Sequence, residues 1–335
     1  MRMGVDLGGT KIELAVFDES GKERLRQRAP TPHTGYDAAL AELARLIVET
    51  ERQAGARCTV GVGMPGAISP KSGRVFNAYN TPFNGRRLKH DLEEKLGREV
   101  RFENDANCFA LSEALDGAAR GAPVVFGAIL GTGAGGGIVV DGELLEGHNA
   151  LSGEWGHTPL PWMTAEEFPG PACFCGRHGC IEQFVAGPAL KREIAARGEE
   201  LANELHEDRL ARALSMVVNF LDPDVIVLGG GLSNIERLYT TVRARATSMP
   251  CISKNTGSAH CLRLLTQISV TPPISSAAVG PRSSERPAQI PRLPTHLPSV
   301  VLTTFAFTAK PSVKFAAISF LPCAAAAISG SKKLP

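Results

Sequence analysis

The chain has no charged leader followed by an apolar stretch at its start, and no apolar run long enough to cross a bilayer. The longest uncharged stretch near its end, Phe315 to Gly330, is too short and carries Pro322. These absences point to a soluble chain, expected in the cytoplasm with no membrane partner. A basic surface for nucleic acid is also missing. Lys and Arg total 36 against 34 acids, but residues 250–335 hold nine of the basic residues and one acid, Glu285, which leaves 27 − 33 = −6 for the first 249. No GxxxxGK[ST] phosphate loop occurs.

Among its 335 residues, 43% are hydrophobic and 21% charged, enough to bury a sizeable α/β core. Two lobes are expected, residues 1–117 and 118–249, followed by a tail of different composition, residues 250–335. The tail holds eleven of 23 prolines and three of 35 glycines, with no helical or strand period. A replaced or frameshifted terminus, largely disordered, is the expectation there.

The organising stretch is GVDLGGTK: Gly4, Val5, Asp6, Leu7, Gly8, Gly9, Thr10 and Lys11. Alternating Met3, Val5 and Leu7 lead into a glycine turn, and Ile12, Leu14, Val16 and Phe17 lead out as a second strand. Gly8 and Gly9 can take positive φ and bring backbone N–H groups to phosphate oxygens. Lys11 adds a cation, and Asp6 suits a hydrated Mg²⁺. A Gly-Gly hairpin without a ligand is the plain alternative. The plan recurs at Val124 to Asp141, with Gly131, Thr132, Gly133, Ala134, Gly135, Gly136 and Gly137 between apolar runs. Duplication suggests two hairpins gripping the phosphates of ATP, with Gly229, Gly230 and Gly231 of DPDVIVLGGGLSN at the adenosine end.

Between the hairpins, Gly63 to Gly66 reads as a tight turn, and the amide-rich run from Asn77 to Gly85 suits sugar hydroxyls or an ordinary loop. In ENDAN, Asp105 follows a strand and opens a helix, so its carboxylate either caps that helix or accepts a proton from an attacking hydroxyl. Further on, His157, Cys173, Cys175 and Cys180 suggest a structural Cys₃His zinc site that places Glu154 and Glu182. His178 is the alternative fourth ligand, and free thiols are the plain alternative.

Taken together, these residues resemble the ROK family of sugar kinases, named for repressors, open reading frames and kinases, over about the first 245 residues. The resemblance implies an actin-like, ribonuclease H-like two-lobed fold with duplicated β-hairpin phosphate-binding units, and ATP in the cleft. It implies Asp105 as catalytic base, Asn104, Glu154, His157 and Glu182 on sugar hydroxyls, and His157 shared with zinc. GHTPLPWM and CFCGRHGCIEQF resemble the fructokinases that also use mannose, which makes fructose 6-phosphate the expected product. N-acetylglucosamine kinases are the nearest alternative. The family also implies a homodimer.

Two departures stand out. The segment between Glu182 and Asp222 is shorter than the family's, and its C-terminal GDSSGxxGAA-like stretch is missing. A sugar-binding relative with impaired catalysis is the alternative these raise beside an active kinase. No helix-turn-helix precedes the first hairpin, so DNA binding is not expected.

Overall fold

The computed structural model describes residues 1–79 and 81–248. The tail and Asn80 of the amide-rich run lie outside the described residues.

The first half opens with β1 (Arg2–Leu7), β2 (Lys11–Phe17) and β3 (Glu23–Pro30). Helix α1 (Tyr36–Ala54) buries Leu40, Leu43, Leu46 and Ile47 at helical spacing and ends on Gly55 in the left-handed region, whose N–H closes onto the last carbonyls. Each such leucine contributes about 1.5–3 kcal/mol by burial. Next come β4 (Thr59–Met64), the short pair β5 (Ala67–Ile68) and β6 (Val75–Phe76), α2 (Leu88–Leu96), β7 (Arg101–Asn104) and α3 (Asp105–Leu115). The sheet order is β3-β2-β1-β4-β7, with β1 antiparallel to β2 and parallel to β4.

The second half repeats the plan. Strands β8 (Val124–Leu130), β9 (Ala134–Val140) and β10 (Glu143–Leu144) are followed by the long loop that carries the cysteines. Helices α4 (Glu182–Val185), α5 (Gly187–Arg197) and α6 (Glu199–Leu221), strand β11 (Val225–Gly229) and α7 (Leu238–Ser248) complete it. The order β10-β9-β8-β11, with β8 antiparallel to β9 and parallel to β11, matches β3-β2-β1-β4 strand for strand. This is the actin-like arrangement with a duplicated hairpin that the resemblance implied.

Helix α3 is buried on almost every side because it lies between the sheets. Four strand glycines make room for it. A Cβ at Gly127 would stand 2.7 Å from the Ala110 Cβ, one at Gly137 2.8 Å from the Ala106 carbonyl, one at Gly229 2.6 Å from the Phe109 ring, and one at Gly63 3.3 Å from the Cys108 sulfur. Real Cβ atoms do not tolerate the first three distances, so these glycines set how closely helix and strands approach.

Gly127→Ala, remote from any predicted ligand contact, is expected to cost about 1–3 kcal/mol by overpacking. A lowered urea midpoint with an unchanged slope would register it; an unchanged midpoint would show that α3 can shift without penalty.

Candidate active site

A cleft of about 550 Å³ opens between the two halves. Its walls come from the turn after β4, the β7–α3 junction, the β8–β9 turn, the cysteine loop and the start of α4. Asn104, Asp105, Glu154, His157 and Glu182 all line it, together with Gly131, Thr132, Gly133, Ala134, Gly135 and Gly136. Asn77 and Tyr79 of the amide-rich run line it as well.

At the β7–α3 junction, the helix cap is Asn104. Its Oδ1 accepts from the Ala106 N–H at 2.9 Å and the Asn107 N–H at 3.2 Å, while its Nδ2 donates to the Gly66 carbonyl at 3.0 Å. One amide hydrogen of Asn104 stays uncommitted. Asp105 is the first residue of the helix; it accepts from the Ala106 N–H at 2.8 Å and leaves its other oxygen for the cleft. Burial and the neighbouring carboxylates Asp6 and Glu154 push Asp105 up to about 7. A carboxylate poised there can accept a proton at neutral pH.

The glycine hairpins differ from the expectation in one respect. Neither Gly8 nor Gly9 takes a positive φ, and none of the glycines from 131 to 137 does. The first turn closes instead by the Gly8 N–H donating to the Lys11 carbonyl at 2.9 Å, with the Thr31 hydroxyl on the Gly8 carbonyl at 2.7 Å. What glycine supplies there is space. At Gly131 a Cβ would meet nothing within 4 Å, whereas at Gly136 it would strike Phe126 and Trp155. Gly136 and Gly137 are therefore accounted for by packing. The Lys11 ammonium lies 3.4 Å from both Asp6 and Glu13. Burial, partly offset by Lys11, raises Asp6 above the usual carboxylate range. That buried acid beside one lysine suits a hydrated dication.

Of the adenosine-end candidates, Gly229 is buried in β11 against Phe109. Gly230 turns the chain at φ 83°, and Gly231 begins a 3₁₀ turn through Asn234. Gly66, in the expected tight turn, lines the cleft and also packs on backbone: a Cβ there would meet the Phe76 carbonyl at 2.3 Å and the Ala78 nitrogen at 2.6 Å.

The donor atoms of His157, Cys173, Cys175 and Cys180 lie within 4.8 Å of one another. His157 Nδ1 is 3.5 Å from the Cys173 Sγ, and the Cys175 and Cys180 sulfurs are 3.6 Å apart. Metal–ligand bonds of about 2.0–2.3 Å in a tetrahedron impose ligand separations close to these, so the set fits a four-coordinate metal. His178 is not part of the group. Glu182 accepts from the Ala134 N–H at 3.0 Å, and the Gly187 N–H donates to the Gly131 carbonyl at 2.8 Å. The start of α4 and α5 thus fastens the β8–β9 turn, a link that spacing in the sequence does not reveal.

Ionising Asp105 in its buried site costs stability. Its folded pKa of about 7 exceeds the ordinary 3.8, so stability is lost as pH rises between these values. Asp105→Asn should therefore show a higher urea midpoint than the parent at pH 8, and the gap should close by pH 4. A variant no more stable at pH 8 would contradict the assigned burial.

Residues 2–263 match the ROK family. Among curated proteins, the N-acetyl-D-glucosamine kinase of Pectobacterium atrosepticum is 41% identical over 271 residues, covering 74% of this chain and 89% of its own length. That of Shigella flexneri serotype 5b is 39% identical over 274 residues, covering 75% and 89%. Among solved structures, a ROK hexokinase from Thermus thermophilus aligns with TM-score 0.64 and 30% identity over 79% of this chain and 97% of its own. A Streptomyces griseus ROK glucokinase solved with glucose and AMPPNP shares the fold at TM-score 0.66 and 22% identity, over 97% and 98%. The match over residues 2–263 and these identities show that the chain belongs to the ROK family of sugar kinases.

Proposed function

We propose that this chain transfers the γ-phosphoryl group of ATP to a hydroxyl of a hexose, with N-acetylglucosamine as the first candidate acceptor. The observation that carries the reaction class is Asp105, poised near neutrality at the floor of a cleft rimmed by Glu154, His157 and Glu182. The sequence motifs put fructose first and N-acetylglucosamine second. Identities of 39–41% to N-acetyl-D-glucosamine kinases support the reverse order.

Asp105 accepts the proton of the acceptor hydroxyl as that oxygen attacks phosphorus in line. Glu154, with the Asn77 side chain beside it, and Glu182 offer acceptors to other hydroxyls, and the uncommitted hydrogen of Asn104 offers a donor. His157, with Nδ1 turned to the cysteines, keeps its second ring nitrogen for the sugar. The β8–β9 turn and Lys11 hold phosphate oxygens, and Asp6 would hold magnesium through water. Magnesium supplies charge neutralisation on the triphosphate. Zinc on His157, Cys173, Cys175 and Cys180 would be structural, since all four positions are filled by protein.

In a coupled ADP-release assay, Asp105→Asn should cut kcat by about 10²–10⁴-fold while leaving sugar binding nearly intact. For the parent, kcat/KM should fall about tenfold per pH unit below about 7, because a protonated Asp105 cannot accept. A variant of unchanged turnover, or a flat profile from pH 5 to 8, would refute the base assignment. Purified protein should carry about one zinc per chain, and Cys175→Ser should lose it together with several degrees of thermal midpoint. Metal-free protein of undiminished stability would sink the structural-zinc reading.

A further inference from the structure

The cleft wall contains one feature that phosphate grip, base and metal leave unused. Tyr79 and Phe174 are 41% and 51% exposed, yet their ring centroids lie 4.3 Å apart, and both face the cleft. One ring comes from each half of the molecule.

Each ring is fixed by features described above. Tyr79 sits on the run after β6, whose backbone presses on Gly66 so closely that a Cβ there has no room. Asn77, two residues earlier, holds a positive φ of 56° with its side chain beside Glu154. The Ala78 N–H donates to the Asn84 Oδ1 at 3.2 Å, and the Thr81 hydroxyl donates to the Ala78 carbonyl at 2.7 Å. Phe174 stands between two of the clustered cysteines, and its ring meets the His157 ring edge-on at 4.8 Å. His157, Phe174 and Tyr79 form a continuous run of rings from the donor cluster to the opposite wall.

The remaining acceptor-side groups, Asp105, Glu154, Glu182, His157 and Asn104, satisfy hydroxyls. An acyl methyl needs apolar surface, because leaving it against carboxylates wastes both its burial and their hydrogen bonds. Two exposed aromatic rings beside a hydroxyl-binding rim meet that need with little side-chain entropy to lose. Fructose and glucose carry no such group.

Resting on the amino-sugar reading of the acceptor, we infer that Tyr79 and Phe174 are the specificity-determining wall that receives the acyl methyl of an N-acylated hexosamine. A buried methyl-sized group is worth roughly 10–200-fold in kcat/KM. Steady-state kinetics with N-acetylglucosamine and glucose on the parent, Tyr79→Ala, Phe174→Ala and Phe174→Leu read this directly. The ratio of kcat/KM for N-acetylglucosamine to that for glucose should fall about tenfold in each Ala variant, through KM, and recover in Phe174→Leu. Calorimetric titration with N-acetylglucosamine in the absence of ATP should show the same weakening.

Equal losses on both sugars would overturn the wall in favour of a general latch between the halves, and an unchanged ratio would overturn it outright. Should Phe174→Ala lose its metal, Tyr79→Ala carries the decision. A parent active on glucose but inactive on N-acetylglucosamine defeats the acceptor reading itself. A parent active on both with unaltered variants defeats only the wall.

Discussion

The approach of α3 to the strands around it decides where every reacting group stands. The helix begins where β7 of the first sheet ends, and runs across β8 and β9 of the second. Gly63, Gly127, Gly137 and Gly229 each give up a side chain to let it in. A helix held from both sides cannot rotate, so its first residue, Asp105, is fixed at the seam between the halves. The helix N-terminus favours a carboxylate there, while burial and the nearby Asp6 and Glu154 oppose ionisation. The balance near neutrality is useful to a base and unfavourable to the unliganded fold, a trade common at functional sites.

A second constraint organises the other wall. The loop from Leu145 to Cys180 has little regular structure, and three ties hold it. One is the His/Cys donor group. Another is a buried ion network: Glu167 pairs with Arg209 at 2.8 Å and with Arg212 at 2.7 Å, and Arg212 also donates to the Pro161 and Trp162 carbonyls at 3.0 Å. The third is the Trp155 indole N–H, which donates to the Gly135 carbonyl at 2.8 Å. Desolvation offsets much of the ion network's Coulomb energy, so its contribution is to fix one loop geometry more than to raise stability. Because the loop carries His157 and the start of α4 carries Glu182, ordering it also orders the sugar rim and the β8–β9 turn.

Elements whose local pattern matches their burial were legible in the sequence. The alternation of Met3, Val5 and Leu7 and of Ile12, Leu14 and Val16 falls in β1 and β2, and the second glycine hairpin falls in β8 and β9. Strand β3, ERLRQRAP, was missed because it is an edge strand with no fully buried residue and no apolar alternation. Strand β7, expected before Asp105, runs from Arg101 to Asn104 and ends at the helix. Glycine roles were the hardest to read. A glycine beside phosphate and a glycine beside a helix look alike until the partner is known, and so the helix-packing function of Gly137 and Gly229 was invisible. The alternative that Asp105 simply caps the helix had the same origin: its residue type favours caps, and only backbone geometry shows that Asn104 holds the cap position.

Acceptor identity was obscured for a related reason. In the proposed reading, the groups that motifs reveal, Asp105, Glu154, His157 and Glu182, answer to hydroxyls that all hexoses share, so they specify the reaction better than the sugar. Discrimination needs a contact that one sugar makes and another cannot. The proposed contacts lie on loop side chains that motif spacing does not point to: Tyr79 after β6 and Phe174 between two cysteines. Both positions are set by the same ties that order the rim, and a change there alters selectivity without moving Asp105. The chemistry therefore follows from the duplicated, glycine-packed core, whereas the proposed choice of substrate rests on two loops whose Tyr79 and Phe174 rings meet across the cleft.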